Sequence, residues 1–271
     1  MIIWLRKAVL CGRFGAAAAG ALRGLAVSLA VSIWMLAALV GATHGAAATA
    51  SPCVSRAFDG ASYIVCTFDL REYALRLFWM DENGVPYGGF DHLPRRIGAA
   101  PMVFAMNAGM YDESLAPVGL YIESGKVLKR ANTASGTGNF HLKPNGIFYV
   151  DGENAGVLTT EQFLSRKPKA QFATQSGPML VIDGRIHPKI RASSMSRKIR
   201  NGVGLRAPHT VVFAISDTPV TFWSFARLFR DGLGTANALF LDGSISSLCA
   251  PVLARCDTLF PMGAIVAAYK R

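Results

Sequence analysis

From about residue 60 onward, apolar positions come in short runs that mostly alternate with polar ones and are punctuated by glycine, proline, aspartate and asparagine. A period of two predicts strands rather than helices. YIVCTFDL (63–70) and YALRLFWM (73–80) are β-rich, and the second runs into a turn at 81–84. MVFAM (102–106) predicts a buried strand ending at Asn107-Ala108-Gly109. PVGLYIE (117–123) and VLKRAN (127–132) flank Ser124-Gly125, a hairpin signal; GIFYV (146–150) and AGVLTT (155–160) flank a second turn at 151–154. AQFATQ (170–175), PMLVIDG (178–184), HTVVFAIS (209–216), ALFLD (238–242) and GAIVAAY (263–269) complete the expected strands.

Two segments carry a helical pattern. A short helix is expected to start at Thr160, with Glu161 in its first turn, and to end before Pro168. After Asp217-Thr218-Pro219, TFWSFARLFRDGLG (221–234) sets Phe222, Phe225, Ala226, Leu228 and Phe229 on one broad face, and Gly232 and Gly234 stop it. HTVVFAIS, this helix and ALFLD then read as a βαβ unit with parallel strands, which places Asp217 and Asp242 on one sheet edge. The fold class expected is α+β: a mixed β-sheet core with a few helices in a single domain over residues 51–271.

ALFLD leads into the stretch on which the reading turns. A buried strand holds its last residue rigidly, so Asp242 is a carboxylate on a fixed support. Gly243 permits a sharp turn and close approach of a ligand, with Ser244, Ser246 and Ser247 beside it. The plainer alternative is a strand ending in a tight turn, with Asp242 bonding its own backbone.

The first 50 residues differ in composition. They contain Arg6, Lys7, Arg13 and Arg23, no acidic residue, an apolar run over 25–42, and an Ala48-Thr49-Ala50 site before Ser51. That is the layout of a cleaved secretory signal. An uncleaved anchor is the alternative, because the run approaches the ~20 residues a spanning helix needs. A periplasmic or secreted location is therefore expected, with membrane contact only through this segment if it stays attached. Removing it leaves four cysteines, for which sequence proximity favours Cys53–Cys66 and Cys249–Cys256 among three connectivities.

The chain has 28 basic and 17 acidic residues, a net charge of +11; the leader holds four of those cations, so the remainder carries +7. The charge concentrates at 185–206, with Arg185, Lys189, Arg191, Arg197, Lys198, Arg200 and Arg206. An exported protein does not meet nucleic acid, so an anionic small substrate or envelope glycan is the natural partner. No cofactor is called for. The scattered His92, His141, His187 and His209 give no zinc spacing, and a divalent metal is left open.

The residues also carry a resemblance. Asn107-Ala108-Gly109-Met110-Tyr111, Pro117-Val118-Gly119 through Gly125, Arg200-Asn201-Gly202-Val203-Gly204 and Leu241-Asp242-Gly243-Ser244-Ile245-Ser246 follow one another in order. In that order they resemble the phosphodiester glycosidase family. The family includes the enzyme that uncovers mannose 6-phosphate by removing N-acetylglucosamine from a sugar phosphodiester. The preceding helix and Gln175-Ser176-Gly177-Pro178 also fit, so the similarity spans about residues 63–269. Ala108 stands for a family glycine, Asn201 for a threonine, and Ser244-Ile245 for a Gly-Gly pair, as in a bacterial branch with its own substrate.

The resemblance implies a hydrolase acting on a sugar–phosphate diester, with Asp242, Arg200 and Asn107 as catalytic residues. Cleavage there needs charge stabilisation at an oxocarbenium-like anomeric carbon. Asp242 is the candidate nucleophile or base. Arg200 is the candidate phosphate clamp through two parallel hydrogen bonds, with Arg197 and Lys198 next. Asn107 would bond sugar hydroxyls or phosphate. Gly109, Glu123, Ser176, Gly177, Gly243, Ser244 and Ser246 are the remaining expected substrate contacts. Glu123, Asp112 and Asp217 stay open as a second carboxylate. His141 and the Asn145-Gly146 pair read as structural, and no G-x-S-x-G elbow surrounds Ser176. A non-catalytic envelope-glycan binding module and a serine esterase using Ser176 or Ser244 are the competing classes.

Overall fold

The alternating runs become strands, and in the computed structural model, which describes residues 51–242 and 245–271, they build three sheets. The leader expected at 1–50, together with Gly243 and Ser244, lies outside the described residues. In chain order the strands are β1 (Cys53–Phe58), β2 (Ala61–Asp69), β3 (Tyr73–Phe78), β4 (Arg96–Ile97), β5 (Ala100–Asn107), β6 (Tyr121–Glu123), β7 (Lys126–Lys129), β8 (Gly146–Asp151) and β9 (Asn154–Thr159). They continue with β10 (Phe172–Ser176), β11 (Met179–Ile182), β12 (Arg185–Ile186), β13 (Asn201–Ala207), β14 (Thr210–Ser216), β15 (Asn237–Phe240), β16 (Leu248–Ala250), β17 (Arg255–Cys256) and β18 (Ile265–Lys270). One sheet has the order β1-β2-β14-β13-β15-β11-β12, the second β7-β6-β10-β8-β9, and the third β17-β16-β5-β18-β3 with β4 beside β5.

The expected mixed sheet is corrected: each neighbouring pair among the described strands is antiparallel. With only two short α-helices among the described residues, α1 (Thr160–Arg166) and α2 (Phe222–Arg227), the described fold is nearly all-β, and α+β fits it loosely. β14 and β15 do run parallel, as the βαβ reading required. They are not neighbours, because β13 lies between them and is antiparallel to both. The aromatic helix is also shorter than its pattern. Thr221 caps α2 by accepting the Ser224 N–H, and after six α-helical residues the chain widens into a π-turn over Leu228–Gly232. α1 matches its expected start, with a capping box between Thr159 and Gln162.

The period of two sorts side chains between cores. Phe213 and Ile215 of β14 and Leu239 of β15 turn into a central core, whereas Val212, Ala214, Ala238 and Phe240 turn outward beneath α2. The second and third sheets also give one face each to the central core. Their outer faces are covered by Phe163 of α1 and by Phe90 and Leu93 respectively. Phe213 joins the sheets: its ring centroid is 5.0 Å from Phe104 of the third and 5.8 Å from Phe148 of the second. Both expected disulfides form, each between residues directly opposite on paired strands, Cys53–Cys66 and Cys249–Cys256.

β13 was not expected, because Gly202 and Gly204 interrupt its apolar pattern. Their function is to admit the helix. A Cβ on Gly202 would lie 2.8 Å from the Leu239 carbonyl oxygen and 3.2 Å from the rings of Phe225 and Phe229; on Gly204 it would lie 2.9 Å from Phe229. Gly202→Ala is therefore expected to destabilise by about 1–3 kcal/mol, as overpacking does. That outweighs the ~0.4–1 kcal/mol that a stiffer unfolded chain returns. Chemical denaturation of the variant checks this, and a rise in midpoint would contradict the packing account.

His187, fully buried after β12, accepts the Lys189 N–H at Nδ1 over 3.1 Å, its peptide N–H bonds the Leu180 carbonyl, and its buried Nε2 has no hydrogen-bond partner among the described residues. Burial, reinforced by Lys189, lowers its pKa below the usual 6.5. The unfolded chain therefore binds this proton more readily, so the stability contribution is full above about 6.5 and is lost as pH falls below it. The drop in melting temperature from pH 7 to pH 5 should be smaller in His187→Asn, which keeps an acceptor without a titrating group. Equal drops in the two proteins would refute the assignment.

Candidate functional site

Five strand ends converge where ALFL gives way to Asp242. β5 ends at Asn107, β10 at Ser176 and β15 at Phe240, while β13 starts at Asn201 and β16 at Leu248. The Leu241 N–H donates to the Asn201 carbonyl over 3.2 Å, and the Asp242 N–H to Asn201 Oδ1 over 3.1 Å. Asn201 Nδ2 donates onward to Asn107 Oδ1 (2.8 Å) and to its carbonyl (3.1 Å). The Ser247 N–H reaches the same Oδ1 at 2.8 Å. The Ser176 hydroxyl bonds the Leu241 carbonyl, and the Ser246 hydroxyl lies 3.0 Å from the Asp242 carbonyl and 3.2 Å from that of Ile199. The backbone leading to the carboxylate is thus held on every side, and Asp242 itself is only 7% exposed.

Asn107 is fully buried, and its Nδ2 has no hydrogen-bond partner among the described residues. Leaving a buried amide donor unmet costs about 1–3 kcal/mol, so a native fold keeps one where something else is gained.

Arg200 reaches the same edge. β13 and β15 pair with Gly202 opposite Phe240, and carrying that register two residues further sets Arg200 opposite Asp242. The arginine is 2% exposed. Its guanidinium lies 3.6 Å from the centroid of the Phe222 ring, and it donates to the carbonyls of Val220 (Nε, 2.9 Å) and Ser196 (Nη2, 3.1 Å). Burial lowers its pKa to about 10. No carboxylate forms an ion pair with it among the described residues, nor with Arg185, Lys189, Arg191, Arg197, Lys198 or Arg206. A buried guanidinium fixed by neutral carbonyls and a ring is suited to an anion. Tyr111 feels the same carboxylate: burial and then Asp242 push its phenol well above the usual range. Its hydroxyl donates to the Pro261 carbonyl over 3.0 Å. Pro261 in turn lines an open groove of about 770 Å³ with Tyr87, Phe90, His92 and Phe260.

The other expected contacts scatter. Glu123 pairs with the Tyr121 hydroxyl at 2.8 Å, and burial raises its pKa. The β6–β10 register sets Tyr121 against Thr174 and Ile122 against Ala173, so Glu123 lies at the end of β10 away from Ser176. Asp112 organises its own loop, accepting from the Ser114 hydroxyl and from the N–H groups of Ser114 and Ala116. Asp217 does share the edge, but it is held by Arg255 (3.0 Å) and the Ser62 hydroxyl (2.8 Å). None of the three is brought against Asp242. Arg197 and Lys198 are exposed on the segment entering β13, while Arg206, bonded to the Leu233 carbonyl, lies at the strand's other end. Gly109 and Gly177 are glycines for close packing: a Cβ would meet Thr174 Oγ1 at 2.2 Å and the Asn145 Cβ at 2.7 Å. His141 turns to the Ala134 carbonyl. Among the described residues no three His, Cys, Asp or Glu side chains are grouped to hold a metal ion.

Comparison with known proteins gives the family. The family model for phosphodiester glycosidases matches residues 100–252, which include Asn107, Arg200, Asn201 and Asp242. The uncharacterized protein YigE of Escherichia coli K12 is 42% identical over 175 residues, 64% of this chain and 68% of that one. Among solved structures, the catalytic domain of zebrafish N-acetylglucosamine-1-phosphodiester alpha-N-acetylglucosaminidase, auto-inhibited by its pro-peptide, shares the fold. Its TM-score is 0.55 at 15% identity, over 81% of this chain and 82% of that one. A protein from Burkholderia pseudomallei K96243 described as exported gives a TM-score of 0.52 at 11% identity, over 77% and 74%. From its sequence match and its fold together, the chain belongs to the phosphodiester glycosidase family.

Proposed function

We propose that the protein is an exported hydrolase that cleaves the glycosidic bond of sugar-1-phosphodiesters or related envelope glycans. What carries the reading is a buried carboxylate, Asp242, and a buried guanidinium, Arg200, at one sheet edge, the guanidinium held by neutral carbonyls and the Phe222 ring. A hydrolase for a neutral glycoside has no use for that cation; one with a phosphate leaving group does. The phosphate departs without needing a strong general acid, and Arg200 takes up the charge that develops on it. Asp242 faces the anomeric carbon, either attacking it or drawing a proton from water as the oxocarbenium-like state forms. Asn107 Nδ2 supplies a donor to a substrate oxygen. The exposed Arg197 and Lys198 form a rim that attracts an anionic substrate.

Export rests on the leader pattern at 1–50 and accords with two disulfides in the described chain. The mature protein then begins near Ser51, which intact-mass measurement on the envelope fraction checks; the full-length chain in membranes would establish an anchor instead. For Ser176 the serine-esterase alternative finds little support, since its hydroxyl is committed to the Leu241 carbonyl; Ser244 lies outside the described residues.

The decisive measurement is turnover of a panel of sugar-1-phosphodiesters by the mature protein and its variants. Asp242→Asn should lose at least ~100-fold in kcat with little change in thermal unfolding, the range a positioned acid–base or nucleophilic group supplies. A binding module would keep its affinity and show no turnover to lose. Arg200→Lys keeps the charge but loses the planar fork, so its loss in kcat/KM should grow with the phosphate character of the leaving group. Replacing Arg197 and Lys198 together by alanine should raise KM and weaken its salt dependence while leaving kcat near normal. Normal turnover by Asp242→Asn would sink the mechanism.

A further inference from the structure

Two peptide N–H groups decide which way both buried carboxamides face. A peptide N–H only donates, so the bond from the Asp242 N–H identifies the end of the Asn201 side chain it meets as oxygen. The other end, Nδ2, is then turned to Asn107, where it meets the carbonyl and Oδ1. The Ser247 N–H fixes the second amide in the same manner, since it meets Asn107 Oδ1 at 2.8 Å. Reversing either side chain would set N–H against N–H. Asn107 Oδ1 therefore holds two donors, and its buried Nδ2 is the end left over. A free asparagine can offer a ligand a donor or an acceptor; this one is committed to donate.

We infer that Asn201 is a positioning residue: it locks the Asn107 carboxamide with its NH₂ turned to the substrate, so that the position takes an acceptor oxygen and rejects a donor. The inference rests on the reading of this edge as the phosphodiester site, and the acceptor is either a phosphate oxygen or a sugar oxygen. Threonine at 201, the residue of the family pattern, keeps a hydroxyl able both to accept and to donate, one bond nearer the backbone than the carboxamide. Valine has the same shape and neither function. Asn201→Thr and Asn201→Val thus differ in the relay and little else.

The test is a double-mutant cycle with Asn107→Ala, reading kcat/KM on a sugar-1-phosphodiester and the melting temperature of each protein. Asn201→Val should cost at least ~10-fold in kcat/KM when Asn107 is present and under ~3-fold when it is alanine, because the two residues act as one unit. Asn201→Thr should recover most of the loss. An equal penalty in both backgrounds, or equal rates for the threonine and valine variants, would overturn the inference, since a merely structural residue acts whether or not Asn107 is there. Calorimetric binding of inorganic phosphate and of the free sugar to the same proteins identifies the acceptor: the ligand whose affinity falls in both Asn107→Ala and Asn201→Val carries it, and loss for neither refutes the assignment. Binding also stands apart from turnover. A wild-type protein that hydrolyses nothing in the panel yet shows this coupling in binding would reject the glycosidase reading and keep the amide relay.

Discussion

The two-sided burial of β15 is the constraint from which the site follows. Leu239 and Leu241 are held in the central core, Ala238 and Phe240 beneath α2, and the strand is paired on one side to β13 and on the other to β11. A strand fixed on both faces and both edges has no freedom left at its end, so Asp242 emerges at one place and at one angle. Four buried apolar side chains, each worth about 1.5–3 kcal/mol or less by size, hold a single carboxylate. The same sheet brings Arg200 to this edge, where the Phe222 ring and the carbonyls of Val220 and Ser196 hold its guanidinium.

Much of this was legible in the sequence. The hairpins at Ser124-Gly125 and at 151–154 form where their turn residues stand, with Ser124 and Gly125 both at positive φ. ALFLD ends where its pattern ends. What failed to show was the direction and neighbourhood of strands. A period of two says which face a residue takes but not which strand lies beside it, so antiparallel pairing throughout was hidden, and so was β13 between β14 and β15. β13 carries the further disguise of two glycines and a place at the end of a basic run. Its glycines lower strand propensity and make sense only once Phe225 and Phe229 are seen lying on them.

The site divides along similar lines. Asp242 and Asn107 stood out as polar residues at the ends of apolar runs, and Arg200 through its family motif inside the basic run. Asn201 did not, since a relay amide looks in sequence like any turn asparagine; its meaning lies in partners 94 and 41 residues away. Glu123 and Asp112 looked equal to Asp217 as second carboxylates, because sequence distance hides which end of a strand a residue reaches. The basic run likewise reads as one feature but is split by the fold, with Arg197, Lys198 and Arg200 near the start of β13 and Arg206 at its end.

The connection from Asp242 to Ser247 is anchored at both of its ends. Asp242 is tied to β13 through Asn201, and Ser247 to β5 through Asn107, with β16 and the Cys249–Cys256 bridge directly behind. Only four residues, 243–246, separate the anchors, and it is there that the sequence departs from the family's glycine pair. Ser246 itself belongs to the anchored frame, since its hydroxyl meets the carbonyls of Asp242 and Ile199, so a change at 246 reaches the backbone of the carboxylate directly.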